Sequence, residues 1–253
     1  MTGLPAPAEA AWTALAFILG AAIGSFLATI LIRWPQGRSV VAGRSACDKC
    51  GQTLEARDLV PILSWSLARG RCRSCGARID RRHLAAEAGA AMIGMAAILA
   101  HSMPLAAVTA ILGWWLFLLA ALDLEHEWLP DRLTWPLLAA GLAAGWGGFG
   151  PAFEGRLVGA AAGFASLFLL AMAYRALRGR DGLGGGDPKL FAAIGAWLGW
   201  TQLPFVLVGA GLIGIAALIM KRLRGGSVAA TDRLPLGALM ALAAWPIWLV
   251  ISR

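Results

Sequence analysis

The sequence predicts an all-α polytopic membrane protein, with about eight transmembrane helices and one small cytoplasmic segment between the first and second. Three observations carry that reading. Of 253 residues, 59% are hydrophobic and 14% charged, whereas a soluble domain carries roughly 25% charge. The apolar residues fall mostly in runs of about 17 to 25, enough for a helix to cross about 30 Å of hydrocarbon. The basic residues sort by loop: 11 of the 22 Lys/Arg lie between Arg33 and Arg82. In lipid every backbone polar group must be satisfied within the protein, so the core is a helix bundle.

The expected spans are about 10–33, 84–101, 104–123, 133–149, 155–174, 188–200, 202–220 and 234–252. A signal peptide would need a basic start and a short apolar centre. Residues 1–10 hold no Lys or Arg and one Glu, and the first run is too long, so it reads as a retained helix. The sixth span is short for a full crossing. Frequent glycines within the spans suit close helix packing in lipid.

Arg175, Arg178 and Arg180 precede the sixth span, and Lys221, Arg222, Arg224 and Arg233 precede the eighth. With the N-terminus outside and eight spans, these loops share a side with 34–83, while the other side holds Arg156 and Arg253. By the positive-inside rule, 34–83, 124–132, 175–187 and 221–233 are cytoplasmic and the N-terminus is periplasmic. The formal charge of +8 is therefore a topology signal. The lipid bilayer is the expected partner, and nucleic acid is not.

Segment 34–83 holds all four cysteines, in "CDKCG" at 47–51 and "CRSCG" at 72–76. Two C-x2-C knuckles, each followed by glycine, point to a four-thiolate Zn2+ site on Cys47, Cys50, Cys72 and Cys75. Four protein ligands leave no open position, so the metal would be structural. It would also help a segment with little core to fold. Two disulfides or four free thiols are the alternatives, and a reducing compartment disfavours the former. Between the knuckles, "LVPILSWSLARGR" at 59–71 runs from apolar to basic. It would rest on the membrane surface or form a small core under the metal.

The third span ends in "DLEHEWLPD", beginning at Asp123, and the sixth opens with "GGGDPKL", in which Asp187 follows the glycines. The topology puts both aspartates at the cytoplasmic membrane boundary. A carboxylate near hydrocarbon is costly, and two that face each other commonly share one proton. One then acts as base toward water and the other as acid toward a carbonyl, which is aspartic-protease chemistry. Solvated interfacial carboxylates are the plainer alternative, and the better one for Glu125, Glu127 and Asp131. Gly184 and Gly186 give the backbone freedom for close approach to an extended peptide, or for φ > 0 in a tight turn. A flexible linker is the other reading. Lys189 would balance the charge of the site or simply sit at the interface.

These residues resemble the type IV prepilin peptidases, also called leader peptidase/N-methyltransferases, which are G-x-G-D intramembrane aspartyl proteases. The likeness rests on "GGGD" at 184–187, "DLEHEWLPDRLTWPLL" at 123–138, "GDPKLFAAIGAWLGW" at 186–200, "GSFLATILIRWP" at 24–35, the two knuckles, "DLVPILSWSLARGRCRSCG" at 58–76, the "AAE" ending at Glu87, and "LPLGALMAL" at 234–242. It implies a first helix at 1–33, a zinc-binding segment at 34–83 associated with N-methyl transfer, and an aspartyl peptidase domain at 84–253.

It also implies activities. The enzyme would cut the basic leader from prepilins and pseudopilins at the cytoplasmic face of the inner membrane, using Asp123 and Asp187. It would then methylate the new N-terminal amine from S-adenosylmethionine, with Gly70 and Glu87 as candidate residues. The chain departs from the family pattern at Ala28, where Asn is usual, and at "RHL" 82–84, where Arg-Tyr-Pro is usual. Both lie in the N-terminal half and leave open a peptidase without methyl transfer. An ion-coupled carrier using the same aspartates is a reading of another class, but it leaves the knuckles unexplained. A scaffold would not need the aspartates. Acidic residues at 123–131 would attract a basic leader.

Overall fold

The structure, a computed structural model, describes residues 6–227 and 234–252. Residues 1–5, the tail of the 221–233 loop with Arg233, and Arg253 lie outside the described residues. The chain divides into two compact units, Met1–Trp114 and Trp115–Arg253. All named elements among the described residues are helical, and the only β pairing consists of two isolated bridges.

The first unit pairs α1 (Ala6–Arg33) with α3 (Arg81–Ala100), and carries between them the cysteine segment and the short α2 (Leu63–Leu67). The α1–α3 seam is built from small residues. A Cβ on Gly20 would stand 2.5 Å from the Ala90 carbonyl oxygen, and one on Gly94 would stand 2.6 Å from that of Ala16. Backbones this close replace the hydrophobic drive that lipid cannot supply. Asp80 caps α3, accepting the Arg82 N–H at 2.9 Å. The start of α4 (Leu105–His126) is tied in by Trp114, whose Nε1 donates to the Ala90 carbonyl at 2.8 Å.

The second unit contains the rest of α4, with α5 (Asp131–Trp146), α6 (Phe153–Arg178), α7 (Asp187–Leu198), α8 (Leu203–Leu223) and α9 (Leu236–Ile251). At its centre is α7, buried at every position but Lys189. Its backbone touches α6 through Gly159, Gly163 and Gly195; a Cβ on Gly163 would lie 2.6 Å from the Phe191 carbonyl oxygen. On the other side Gly141 of α5 admits the Trp197 ring, whose Nε1 donates to the Leu137 carbonyl at 2.9 Å.

Helices occupy all eight expected positions, but five (α1, α3, α4, α6 and α8) are long and apolar enough to cross a membrane. With 16, 12 and 16 residues, α5, α7 and α9 are shorter, so eight full crossings are not established.

Arg156, counted above only as a loop charge, is fully buried on the first turn of α6. Its Nε donates to the Pro151 carbonyl at 3.0 Å, and one terminal nitrogen donates to Gly141 and Ala196 at 2.6 and 3.2 Å. The other terminal nitrogen donates to the Phe149 carbonyl. The guanidinium lies 5.6 Å from the centre of the Trp248 ring, which meets Trp197 edge-on. The charge thus fastens the α5–α6 turn, the C-terminal half of α5 and the last turn of α7 to one point. Arg156→Met is expected to orphan these carbonyls and to cost on the order of 3 kcal/mol, seen as a clear fall in the unfolding temperature in nanodiscs. An unchanged transition would show that the cluster is not needed for stability.

Candidate functional site

In the second unit, the ends of three helices converge. Asp123 lies in the last turn of α4, and Asp187 is the first residue of α7; each is 6% exposed. The third end is the N-terminus of α9. The Ala238 N–H donates to Asp123 Oδ2 at 2.7 Å, and Gly237 packs against the same carboxylate. The negative charge of Asp123 reaches Asp187. Free N–H groups in the first turn of a helix suit anions, so α9 is a donor platform for Asp123.

The glycine loop completes the cradle. The Gly184 N–H donates to Asp187 Oδ2 at 3.0 Å, while the Asp187 N–H returns to the Gly184 carbonyl at 3.1 Å. Of the two uses open to these glycines, the left-handed turn is not the one the loop takes. None of Gly184, Gly185 or Gly186 has a left-handed backbone. What the site needs is room: a Cβ on Gly186 would stand 2.6 Å from Leu129 Cβ. One on Gly237 would stand 2.6 Å from Leu129 Cδ1 and 2.9 Å from Asp123 Oδ2.

Lys189 pairs with Asp131, its Nζ 2.6 and 2.9 Å from the two carboxylate oxygens. Glu125 and Glu127 are exposed, and His126 Nε2 is 3.8 Å from Glu125. Sequence reasoning did not single out Gly237 and Ala238 as partners of the aspartates. A proline, then a glycine, at the start of an apolar run was the available signal.

In the first unit, the two knuckles fold alike. The Gly51 N–H donates to the Cys47 carbonyl and the Gly76 N–H to the Cys72 carbonyl, both at 2.9 Å. Gly51 and Gly76 stand at φ +70° and +69°, a conformation glycine adopts without a Cβ penalty. The four thiols are free, and their sulfurs all lie within 4.8 Å of one another. Cys47 Sγ and Cys75 Sγ are 3.9 Å apart, against about 3.8 Å for the edge of a tetrahedron with 2.3 Å Zn–S bonds. The residues therefore fit a four-thiolate metal. The Cys72 thiol is pulled down to about 7, chiefly by the backbone N–H groups of Cys75 and Ser74. Cys75 is raised to about 11: the Ala77 N–H lowers it, but the neighbouring thiols, Cys50 foremost, outweigh that. A dication among them would hold every sulfur as thiolate.

Gly70 stands at φ +65° against Trp65; a Cβ there would come 2.7 Å from the Trp65 ring. Glu87, 6% exposed on α3, accepts the Ile62 N–H at 2.7 Å. Leu59, Val60, Leu63 and Leu67 are exposed, so they do not form a core under the cysteines.

A multi-pass helical membrane protein with a buried carboxylate pair and a separate thiol cluster is the class this geometry defines. Residues 18–101 match the family described as Bacterial Peptidase A24 N-terminal domain, and residues 110–219 match the Type IV leader peptidase family. The prepilin leader peptidase/N-methyltransferase of Dickeya chrysanthemi is 39% identical over 233 residues, covering 83% of this chain and 82% of that protein. Its counterpart from Aeromonas hydrophila is 34% identical, covering 91% and 88%. The type 4 prepilin-like proteins leader peptide-processing enzyme of Escherichia coli O78:H11 is 34% identical, covering 92% of each chain. No solved structure matches. The chain belongs to the type IV leader peptidase family, and with its five apolar helices it is a multi-pass inner-membrane protein.

The thiol geometry predicts one bound metal ion per chain. Cys50→Ser or Cys75→Ser is expected to empty the site, read as metal content by mass spectrometry. Full metal content in both variants would remove these thiols as ligands.

Proposed function

We propose that this protein cleaves the basic leader from prepilins and pseudopilins at the cytoplasmic face of the inner membrane, and then methylates the new N-terminus. The observation that carries the peptidase reading is a pair of carboxylates, Asp123 and Asp187, buried at the ends of separate helices, each holding a backbone N–H, from Ala238 and Gly184. The names of the relatives, prepilin leader peptidase/N-methyltransferase, support both halves.

Asp123 and Asp187 are the catalytic pair in this reading. Two carboxylates sharing one proton can add water across a peptide carbonyl. The ionised member takes a proton from the water as its oxygen attacks the carbonyl carbon. The protonated member gives its proton to the carbonyl oxygen. Collapse of the resulting diol breaks the C–N bond, and the departing amine takes up a proton. The Ala238 N–H holds the Asp123 charge in place through these exchanges. Gly184 fixes the Asp187 rotamer, and Gly186 leaves room for Leu129 beside it. Lys189, paired to Asp131, ties the first turn of α7 to the first turn of α5. Glu125 and Glu127, exposed one turn from Asp123, offer a negative surface to a basic leader.

Residues 84–253 carry the peptidase in this reading, and 34–83 the methyl-transfer function. The N-terminus is periplasmic, following the placement of the basic loops. Zn2+ is the metal that four thiolates at these spacings suit best, and it would be structural. S-adenosylmethionine would supply an electrophilic methyl group for the amine. Gly70 and Glu87 are the residues assigned to that second step.

Asp123→Asn and Asp187→Asn are each expected to slow leader cleavage roughly 10²- to 10⁴-fold, the range for a lost acid or base. Cleavage of a prepilin by purified enzyme, with the product N-terminus read by mass spectrometry, tests this. Undiminished cleavage in either variant removes that residue from the pair. Gly237→Ala is expected to displace the Asp123 carboxylate and slow cleavage about tenfold, through a contact that overpacks the site. In the same assay Gly70→Ala should lower the methylated fraction of product more than it lowers cleavage. Equal losses would detach Gly70 from methyl transfer.

A further inference from the structure

The cysteine segment leaves α1 after Arg33 and enters α3 at Arg81. Both helices are long and apolar enough to span a membrane, so the segment between them is held at one membrane face. Close to the start of α3 lies a cavity of about 220 Å³, walled by Trp65 and by four arginines, Arg69, Arg71, Arg78 and Arg81. Its charge is unbalanced. Other arginines of the segment have carboxylate partners: Arg73 meets Asp58 at 3.0 Å and Arg57 meets Glu55 at 2.9 Å. Among the described residues, no Asp or Glu lies within ion-pair distance of Arg69, Arg71, Arg78 or Arg81.

The backbone forces two of the four together. Arg71 and Arg78 face each other across an antiparallel bridge. The flanking bonds run from the Cys72 N–H to the Ala77 carbonyl and from the Ile79 N–H to the Gly70 carbonyl, both at 2.8 Å. This is the non-hydrogen-bonded kind of pair, whose Cα atoms stand about 4.5 Å apart and whose side chains come closest. Like charges so placed repel, and an anion between them turns repulsion into attraction.

Beside the arginines, α2 turns an apolar face outward. Leu63 and Leu67, four residues apart on one side of the helix, are 54% and 69% exposed, and Leu59 and Val60 before them are exposed too. A positive φ stands at each end of the helix, +63° at Ile62 and +51° at Arg69. Non-glycine residues keep such a backbone only where their surroundings fix it, so α2 is held in a set direction. Uncovered leucines, a tryptophan and a cluster of arginines are together the composition of a segment that lies in a lipid headgroup layer.

We propose that the four-arginine cavity binds the phosphate of an anionic phospholipid, while Leu59, Val60, Leu63 and Leu67 sit among the acyl chains of the same leaflet. The membrane helices on either side, together with the uncovered leucines, select a lipid over a dissolved anion. A zwitterionic headgroup carries its own cation and suits four arginines less well. The contact holds the cysteine segment down on the bilayer, a role separate from metal binding and from the carboxylate pair.

The test uses the full chain with its metal. Delipidated in detergent, it is titrated with phosphatidylglycerol, phosphatidylcholine or inorganic phosphate, and the bound species are counted by native mass spectrometry. One tightly bound phosphatidylglycerol per chain, preferred over phosphatidylcholine, is expected. Arg71→Gln/Arg78→Gln, with metal content retained, should weaken it about 25-fold, from roughly fivefold for each arginine at an anionic surface. In nanodiscs containing phosphatidylglycerol with a photoreactive acyl chain, adducts at 59–67 are expected beside those on the spanning helices. Equal affinity for the two lipids, unchanged affinity in the double variant, or adducts confined to the spanning helices would each overturn the proposal. Phosphate bound as tightly as the lipid would do so too, by making the cavity a site for a dissolved anion. If the arginine variant loses its metal, Leu63→Ser/Leu67→Ser takes its place, since these side chains are exposed. It should lose the adducts at 59–67, and undiminished adducts there would count against the proposal.

Discussion

A helix of 12 residues rises about 18 Å and cannot cross about 30 Å of hydrocarbon. The second unit is organised by that constraint on α7. Lipid cannot satisfy the backbone groups at the ends of a short helix, so protein must enclose it. Glycines on α5 and α6 let neighbouring helices come close enough to do so. Arg156 takes up carbonyls in the C-terminal half of α5, at the last turn of α7 and in the turn that leads into α6. With one end of α7 fixed, its first residue, Asp187, is held at a set depth.

The two carboxylates have unequal helix environments. Asp187 opens α7, where the helix field favours an anion, but Asp123 sits at the C-terminal turn of α4, where it does not. The α9 N-terminus offsets this with the Ala238 N–H, which donates to Asp123 Oδ2 at 2.7 Å, while Gly237 packs beside it. Asp123 and Ala238, 115 residues apart in sequence, must therefore register within hydrogen-bond distance. The glycines at 186 and 237 matter because Leu129 occupies the space that side chains there would need.

Much of this was legible in the sequence. Composition and run length predicted a helical membrane protein, because lipid restricts the choices so strongly. The knuckle spacing predicted the thiol cluster, since C-x2-C followed by glycine leaves little freedom. The role of Arg156 was not legible: a lone basic residue in a loop reads as a topology charge until its carbonyl partners are seen. Nor was the α9 platform, because N–H donors have no sequence letter. The glycine run left the backbone angle open for a related reason. Glycine permits both a left-handed turn and close approach, and only the position of Leu129 separates them. The apolar stretch 59–71 was ambiguous between core and surface, and its exposed leucines decide against a core.

The central claim is that Asp123 and Asp187 act as one unit, because both carboxylates are buried around Leu129 and the start of α9. The most direct test is single-turnover cleavage of a prepilin, with enzyme in excess, by Asp123→Asn, Asp187→Asn and the double variant. Groups that act together show losses that do not multiply. The account predicts a double variant no slower than the slower single variant. Losses that multiply would mean two independent carboxylates, and would contradict it.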